Sequence, residues 1–402
     1  MNNDIAITGM GAITSLGDST EMIYDRILKG ETGIGISTGF NTTEFKSHQC
    51  GEVKDFQVRK YLTCSKVNVT QKVTQYAVAA AKNALLDAGL DLAGDSLAGL
   101  VVGTAFSGTT FKERLKKSLC ADIVLSPRIA ANAVSSEPSG KICMELGIIG
   151  HTSIVSSGST SGFNAIQYAS LLLKTTRAHR VLVVATEELS QLAFSAFDDL
   201  NLLATVGPHY DESSRPFSRH RTGFIFSEGA GALLLESAPI AKQRGAKILG
   251  YIRGGSILNN NHNSIAVTLS AAMDNAMKEA HLSSTDIGYI AASANGSVIC
   301  DKQEVMAIKR SFGKYYDRVS VSSIKDKIGE TLGAAGILSM IAAILAMQRH
   351  ELPDNPYLFD EEREFDLNFV LPNNRRHKNI EHFMINSFDS FGNFGALILG
   401  NP

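Results

Sequence analysis

The feature that most constrains the fold of this chain is a series of short, almost continuously apolar runs, rich in β-branched and aliphatic residues, between segments of helical periodicity. Runs of this length without polar alternation are typical of strands in a sheet that helices cover on both faces. We therefore predict a layered α/β fold. The predicted strands are Ile5–Thr8, Leu100–Gly103, Ser153–Ser156, Val181–Ala185, Gly231–Leu235, Ile287–Ala291, Val319–Ser322, Phe383–Asn386 and Ala396–Leu399.

Two predicted helices share a residue pattern that suggests an internal duplication. One ends at Gly89, a residue suited to a left-handed C-terminal cap, and the other runs from about Ala266 to Ala280. At a constant offset, Asn83, Ala84, Asp87, Ala88 and Leu90 recur as Asn275, Ala276, Glu279, Ala280 and Leu282. A chance match in alanine-rich helices is the alternative.

We accordingly predict two similar α/β halves, residues 1–238 and 239–402. No Pro-, Ser- or Gly-rich linker separates them, so we expect them to pack as one unit. The segment Asp211–Thr222 (DESSRPFSRHRT) is the most polar stretch in the middle of the chain and is predicted to be a surface loop.

Composition argues against several classes of partner. The net charge of −2 and a pI near 6.6 give no electrostatic footprint for nucleic acid or for an anionic membrane surface. The five cysteines form no CxxC pair and have no histidine at metal-ligand spacing, so we expect reduced thiols and no metal. The apolar run Leu332–Met347 is shorter than the ~20 residues of a membrane span and predicts a buried core helix. With no signal-peptide pattern at the start, we expect a cytoplasmic protein.

The Gly9-Met10-Gly11 segment superficially resembles the start of a dinucleotide-binding loop. Thr14 stands where the third glycine or alanine should be, and no acidic residue ends a second strand at the expected distance. A tight passage from strand to turn is the better interpretation, and nucleotide binding is not expected.

A second glycine-bounded segment, Gly158-Ser159-Thr160-Ser161-Gly162, follows a predicted strand and precedes a predicted helix. A hydrolase elbow would need serine at the central position, where this chain has Thr160. The turn still places Ser159 at the positive end of a helix, beside backbone N–H groups that can hold an oxyanion. A serine there needs a positioned base, and the loops expected to face it offer Asn295 and Glu330 instead of histidine.

Along nearly its whole length the chain resembles the elongating β-ketoacyl-acyl carrier protein synthase family. The resemblance rests on six segments that occur in the family's order: ITGMGAITSLG, STSGFNAIQYA, SRPFSRHRTGFIFSEGAGALLLE, IGYIAASANGS, VSSIKDKIGETLGAAG and NSFDSFGNFGALILG. It implies a thiolase-like fold, with duplicated α/β halves in a layered αβαβα architecture.

The resemblance also implies that the catalytic residues have been replaced. Ser159 stands at the position of the family's cysteine, Asn295 and Glu330 stand at its two histidine positions, and only Lys325 is retained. We expect no competent catalytic set, and we expect Lys325 to form an ion pair with Glu330 or Asp326. The gate loop, GFGG in the family, is Asp389–Gly392 here, so we assign Phe388, Ser390 and Phe391 to the gate region.

Further positions match family regions that line the acyl tunnel or reach across the dimer interface. They are Phe106, Arg128, Ile129, Asn132 and Val134. A bulky Phe106 would shorten such a tunnel; the alternative is that Phe106 is an ordinary core residue.

A degenerate ketosynthase that keeps its scaffold is similar to the chain-length factor of type II polyketide synthases. This implies a heterodimer with an active ketosynthase, no cofactor of its own, and acyl chains delivered on the phosphopantetheine of an acyl carrier protein. The alternative is an acyltransferase or esterase-like enzyme that uses Ser159 as nucleophile, with Glu330 as base through a water.

Overall fold

The structure is a computed structural model in which residues 4–63, 67, 70–120, 134–207, 210–259, 264–360, 365–375 and 380–402 are described. The strands in these ranges are β1 (Ile5–Ile13), β2 (Gly35–Ile36), β3 (Gln49–Cys50), β4 (Ala98–Gly103), β5 (Thr152–Val155), β6 (Arg180–Glu187), β7 (Gly229–Ser237), β8 (Gly250–Asn259), β9 (Ile287–Ala291), β10 (Ser320–Ser322), β11 (Asn368–Phe369), β12 (His382–Phe388) and β13 (Asn393–Gly400). The α-helices are α1 (Thr20–Leu28), α2 (Lys72–Asp87), α3 (Thr109–Cys120), α4 (Glu137–Leu146), α5 (Ser161–Lys174), α6 (Gln191–Asp199), α7 (Ala238–Gln243), α8 (Ile265–Glu279), α9 (Val298–Phe312), α10 (Lys325–Ile328) and α11 (Ala335–Arg349).

Eleven strands form one mixed sheet, in the order β11-β10-β9-β12-β13-β8-β1-β7-β6-β4-β5. The order β5-β4-β6-β7-β1 in the first half equals the order β10-β9-β12-β13-β8 in the second, and three residue pairs between β1 and β8 join the halves. This equivalence confirms the predicted duplication. The boundary predicted between residues 238 and 239 falls at the start of α7 and stays a prediction.

Helices cover both faces of each half. Helices α2 and α4 pack outside the first half, and α8 and α9 pack outside the second, while α5 and α11 lie between the halves and contact strands of both. Along β6, Val181 and Val183 belong to the central core, whereas Leu182 and Val184 belong to the outer one. Apolar residues on both faces explain why the strands lack polar alternation, as predicted.

The apolar run at 332–347 is the central helix of the molecule. It forms a short 3-10 turn, Leu332–Ala334, followed by α11. By length and composition alone Leu332–Arg349 could cross a membrane, but 89% of this window is buried inside the protein. The segment is therefore a core helix, as predicted.

The prediction of a turn at Gly9-Met10-Gly11 is wrong, because β1 runs through all three residues. A Cβ at Gly9 would clash with the carbonyl oxygen of Ala84, and one at Gly11 would clash with that of Ala80. The two glycines therefore allow α2 to lie directly against the strand, which is a packing requirement and not a turn requirement.

The prediction of a surface loop at 211–222 is also wrong. Phe217 and Ser218 are fully buried, and Glu212 is almost so. The polar groups find buried partners: the Glu212 carboxylate accepts the backbone N–H of His48, and the Phe217 N–H donates to Asp301. Hydrogen bonds to distant parts of the chain thus make a polar segment compatible with burial.

Candidate active site

The candidate site is a cavity of about 70 Å³ that both halves of the molecule line. The first half contributes the loop after β4 and the turn before α5, and the second contributes the loops after β9, α10 and β12. The cavity brings together Phe106, Ser159, Asn295, Glu330, Phe388, Ser390 and Phe391 from the predicted set. Residues more than 200 positions apart thus meet at one place, as the resemblance implied.

Ser159 lies two residues before α5, on a turn that Gly158 makes possible with a φ of 57°. Neighbouring side chains fix the turn: the Thr160 hydroxyl donates to the Ser157 carbonyl at 2.8 Å, and the Ser159 carbonyl accepts from Ser387 at 2.8 Å. Within the described residues, the Ser159 hydroxyl itself hydrogen-bonds to no side chain that could act as a base. The position is rigid and close to a helix N-terminus, but its hydroxyl is not activated.

Lys325, Glu330 and Asn295 form one buried chain of contacts. The Lys325 ammonium lies 2.7 Å from Glu330 Oε2, and the same oxygen accepts from Asn295 Nδ2 at 2.8 Å. Glu330 Oε1 accepts the backbone N–H of Leu332 at 2.9 Å. Of the two partners predicted for Lys325, the structure has Glu330.

The loop that carries Asn295 is held by Asp301. This buried carboxylate accepts the backbone N–H groups of Asn295, Gly296 and Phe217. Burial raises the pKa of Asp301 to about 6, and burial likewise raises the pKa of the nearby Glu304 to about 7. Sequence reasoning did not identify Asp301 as a positioning residue, because its three partners lie in two separate loops.

Phe106 lines the cavity with 40% of its surface exposed, so the alternative of an ordinary core residue is wrong. Its ring packs edge-to-face on Phe197 with the centroids 5.9 Å apart. The Glu187 carboxylate accepts its backbone N–H at 2.9 Å and that of Ala105 at 2.8 Å. Burial raises the pKa of Glu187 to about 8.

Of the other predicted tunnel and interface positions, Val134 lies within the described residues. Val134 is 51% exposed and does not line the cavity. Arg128, Ile129 and Asn132 lie outside the described residues.

In the gate region, Phe388 is buried and stacks on Phe394, whereas Ser390 and Phe391 are exposed at the cavity. The neighbouring Asp389, which sequence reasoning did not single out, accepts the backbone N–H of Ser159 at 3.0 Å. A charged residue where the resemblance implies a glycine was the available signal.

Among the described residues, no group of three or more His, Cys, Asp or Glu side chains is arranged to hold a metal ion. Cys300 lines the cavity, but burial raises the pKa of its thiol to about 11, which makes it a poor nucleophile.

Comparison with solved structures confirms the thiolase-like ketosynthase fold. A structure described as the ishigamide ketosynthase/chain length factor matches with a TM-score of 0.92 and 25% identity, over 100% of both chains. A type II PKS acyl-carrier protein in complex with its ketosynthase bound to the hexaketide matches with a TM-score of 0.90 at 23% identity over 100% of both chains, which supports the fold alone.

Comparison of sequences gives the same answer. The chain is 28% identical to the 3-oxoacyl-[acyl-carrier-protein] synthase 2 of Vibrio harveyi, over 98% of this chain and 97% of the relative. The family model for the N-terminal domain of beta-ketoacyl synthase matches residues 2–241, and that for the C-terminal domain matches residues 249–358. With both models matched across most of its length, the chain belongs to the β-ketoacyl synthase family.

Proposed function

We propose that this chain is a non-condensing chain-length-factor subunit of a type II polyketide or polyene synthase. It pairs in the cytoplasm with an active ketosynthase and shapes the tunnel that holds the growing acyl chain. The acyl chain arrives on the phosphopantetheine of an acyl carrier protein, and this subunit has no cofactor of its own. Similarity to a ketosynthase/chain length factor structure supports the proposal.

The observation that carries the proposal is that the Glu330 carboxylate is already hydrogen-bonded within the protein. Both of its oxygens already accept hydrogen bonds from protein donors, and Asn295 cannot act as a base. Decarboxylative condensation needs neutral or cationic donors at the thioester carbonyl and at the developing carbanion. A carboxylate at that place would oppose the negative charge that develops there.

The alternative, a Ser159 acyltransferase or esterase, has less support. It requires a base within hydrogen-bond reach of the Ser159 hydroxyl, directly or through one water. Glu330 is the base that this alternative requires, but its Oε2 is paired with Lys325 at 2.7 Å and its Oε1 accepts the backbone N–H of Leu332.

We assign Phe106 to the end of the acyl tunnel, where it limits the length of the chain. It is exposed on the cavity while its backbone is fixed by Glu187 and its ring by Phe197. A rigid aromatic side chain of this kind makes a defined wall for an apolar chain.

The surface around β5 is the candidate interface with the ketosynthase. β5 lies at the end of the sheet and pairs on one side with β4. The elements beside it expose Met144, Ile149 and Leu171, which are 76%, 65% and 54% exposed. An edge strand with exposed apolar neighbours can pair with and pack against another chain.

The test is co-expression with an intact ketosynthase and its acyl carrier protein, followed by an assay of malonyl-dependent elongation. We expect a one-to-one complex whose rate is unchanged by Ser159→Ala in this chain. Replacement of the nucleophilic cysteine in the ketosynthase should abolish elongation. Loss of activity with Ser159→Ala in an intact complex would make Ser159 a nucleophile and overturn the proposal.

The tunnel role of Phe106 has its own readout. Phe106→Ala should lengthen the product, because the smaller side chain leaves more room for the acyl chain at the cavity. The matched control is Phe40→Ala, which removes a ring packed on Phe194, a neighbour of Phe197 in the same apolar cluster, but which does not line the cavity. Equal product changes in the two variants would contradict the assignment of Phe106.

A further inference from the structure

The Asp389 carboxylate lies in the turn that carries Ser159, although 230 residues separate the two in sequence. Its Oδ2 accepts the Ser159 N–H at 3.0 Å, and its Oδ1 accepts the N–H of Phe391 at 2.9 Å and that of Asn393 at 3.2 Å. The Asn393 side-chain amide adds a contact of 3.1 Å to Oδ2. Donors from both halves of the molecule thus surround one anion.

Gly158 shows that the turn is built around this carboxylate. An added Cβ at Gly158 would clash with Asp389 Oδ2, and the residue already has the positive φ that favours glycine. The close approach of the carboxylate therefore depends on the absence of a side chain at position 158.

The donor that Asp389 occupies is a chemically useful one. A backbone N–H at the N-terminal end of a helix carries partial positive charge, and such groups bind anions and stabilise oxyanions. A substrate carbonyl at this turn would have to compete with a full negative charge that is held by four protein donors.

We propose that Asp389 is an internal anion that occupies the oxyanion-binding position beside Ser159 and keeps thioester carbonyls away from it. The inference rests on the proposed non-condensing function and deepens it. In addition to the absence of the nucleophilic cysteine, the Asp389 carboxylate itself prevents a thioester from binding at this turn. A cysteine restored at position 159 would face this carboxylate and would remain poorly reactive.

Several charged or titratable groups surround a thiol at that position. Asp389 contacts the turn directly, Glu330 with its partner Lys325 lies across the cavity, and Cys300 lines it. The Asp301, Asp389 and Glu304 carboxylates each act electrostatically on the Cys300 thiol. Asp389 is the one of these carboxylates that touches the backbone of residue 159.

The test measures the reactivity of a thiol placed at residue 159 of the full chain. Ser159→Cys is prepared alone and combined with Asp389→Asn or Asp389→Gly. Iodoacetamide labelling of residue 159 is followed by peptide mass spectrometry from pH 6 to 10. Asparagine removes the charge and keeps one acceptor oxygen, which can retain the contacts with the Phe391 and Asn393 N–H groups, but its NH2 group cannot accept the Ser159 N–H. Glycine empties the position.

We expect slow labelling of Ser159→Cys alone. Removal of the Asp389 charge should lower the pKa of the thiol by roughly one to three units and speed labelling at pH 7 about tenfold or more. The matched control is Asp286→Asn, which alters an exposed carboxylate that also accepts a backbone N–H, from Ser283, and should change nothing.

Acceleration in both double variants supports the inference, since both remove the charge. Acceleration with Asp389→Gly alone would overturn it, because the charge would then not be what slows the thiol. If both double variants label at the rate of Ser159→Cys alone while remaining folded by thermal melting, the inference is overturned. That failure would leave the proposed function untouched, because the latter depends on the elongation assay of the complex with Ser159→Ala.

Discussion

Two lysines on α10, Lys325 and Lys327, lie two residues apart and are both buried, yet they serve different regions. Lys325 pairs with Glu330 at 2.7 Å behind the cavity. Lys327 pairs with Asp326 at 2.8 Å and donates to the Asp354 carbonyl at 2.6 Å. The difference shows that a buried ion pair is not in itself a sign of a site, because the surroundings decide its role.

Lys327 should give the largest effect on stability. Lys327→Met leaves Asp326 without its buried cation and leaves Asp354 with Arg375 alone, so we expect a loss of about 3–5 kcal/mol in the free energy of unfolding. Urea denaturation measures it, with Lys174→Met as control. That lysine pairs with Glu279 at 3.1 Å on the surface and should cost less than about 1 kcal/mol. Equal unfolding midpoints for the two variants would contradict the assigned role of Lys327.

Unlike Glu330 and Asp326, Glu187 is a buried carboxylate that forms no ion pair with a lysine among the described residues. Burial raises its pKa to about 8, so between about pH 4.5 and 8 the folded state holds a proton that the unfolded state has lost. Stability therefore falls as pH rises through this window, by roughly 2–4 kcal/mol between pH 5 and 8.

Glu187→Gln should reduce that slope, most clearly between pH 7 and 8, which lies above the raised pKa values of Asp301 and Glu304. Urea unfolding at pH 5, 6, 7 and 8 measures it. Glu279→Gln, at an exposed surface pair, should retain the slope of the unmodified protein. An unchanged slope between pH 7 and 8 in Glu187→Gln would contradict the assignment of this part of the pH dependence to Glu187.

Lys325 should matter less for stability than Lys327. In Lys325→Met, Glu330 keeps its contacts with Asn295 and the Leu332 N–H and can be solvated from the cavity, so we expect a loss of about 1–3 kcal/mol. The double variant Lys325→Met/Glu330→Gln should recover most of it. Elongation by the complex should not change; a specific loss of rate with normal stability would mean that Lys325 takes part in the chemistry.

Asn295 should give the smallest effect. Asn295→Ala removes the hydrogen bond to Glu330 and the one that Asn295 Oδ1 accepts from the Ser297 N–H, while the ion pair remains, so we expect a loss of about 1–2 kcal/mol. Asn259→Ala, which removes a contact to Asn393 between neutral and exposed groups, is the control and should cost less. If Asn295→Ala costs as much as Lys325→Met, the amide and the lysine contribute equally to holding Glu330.

The sequence by itself determined the features that local pattern carries. Apolar runs predicted strands covered on both faces, a repeated helix pattern predicted the duplication, and the family motifs placed Ser159, Asn295 and Glu330 at one site. These predictions succeed because strand burial, helix periodicity and loop motifs each depend on residues close together in the chain.

Only the tertiary structure decided which distant groups meet. It paired Lys325 with Glu330 and left Asp326 to Lys327, buried the polar segment at 211–222, and brought Asp389 to the Ser159 turn. It also showed that Gly9 and Gly11 serve the approach of α2. Some of these outcomes depend on contacts between residues that lie far apart in the sequence, and others on a choice between two partners that lie equally near. Local sequence patterns contain information on neither.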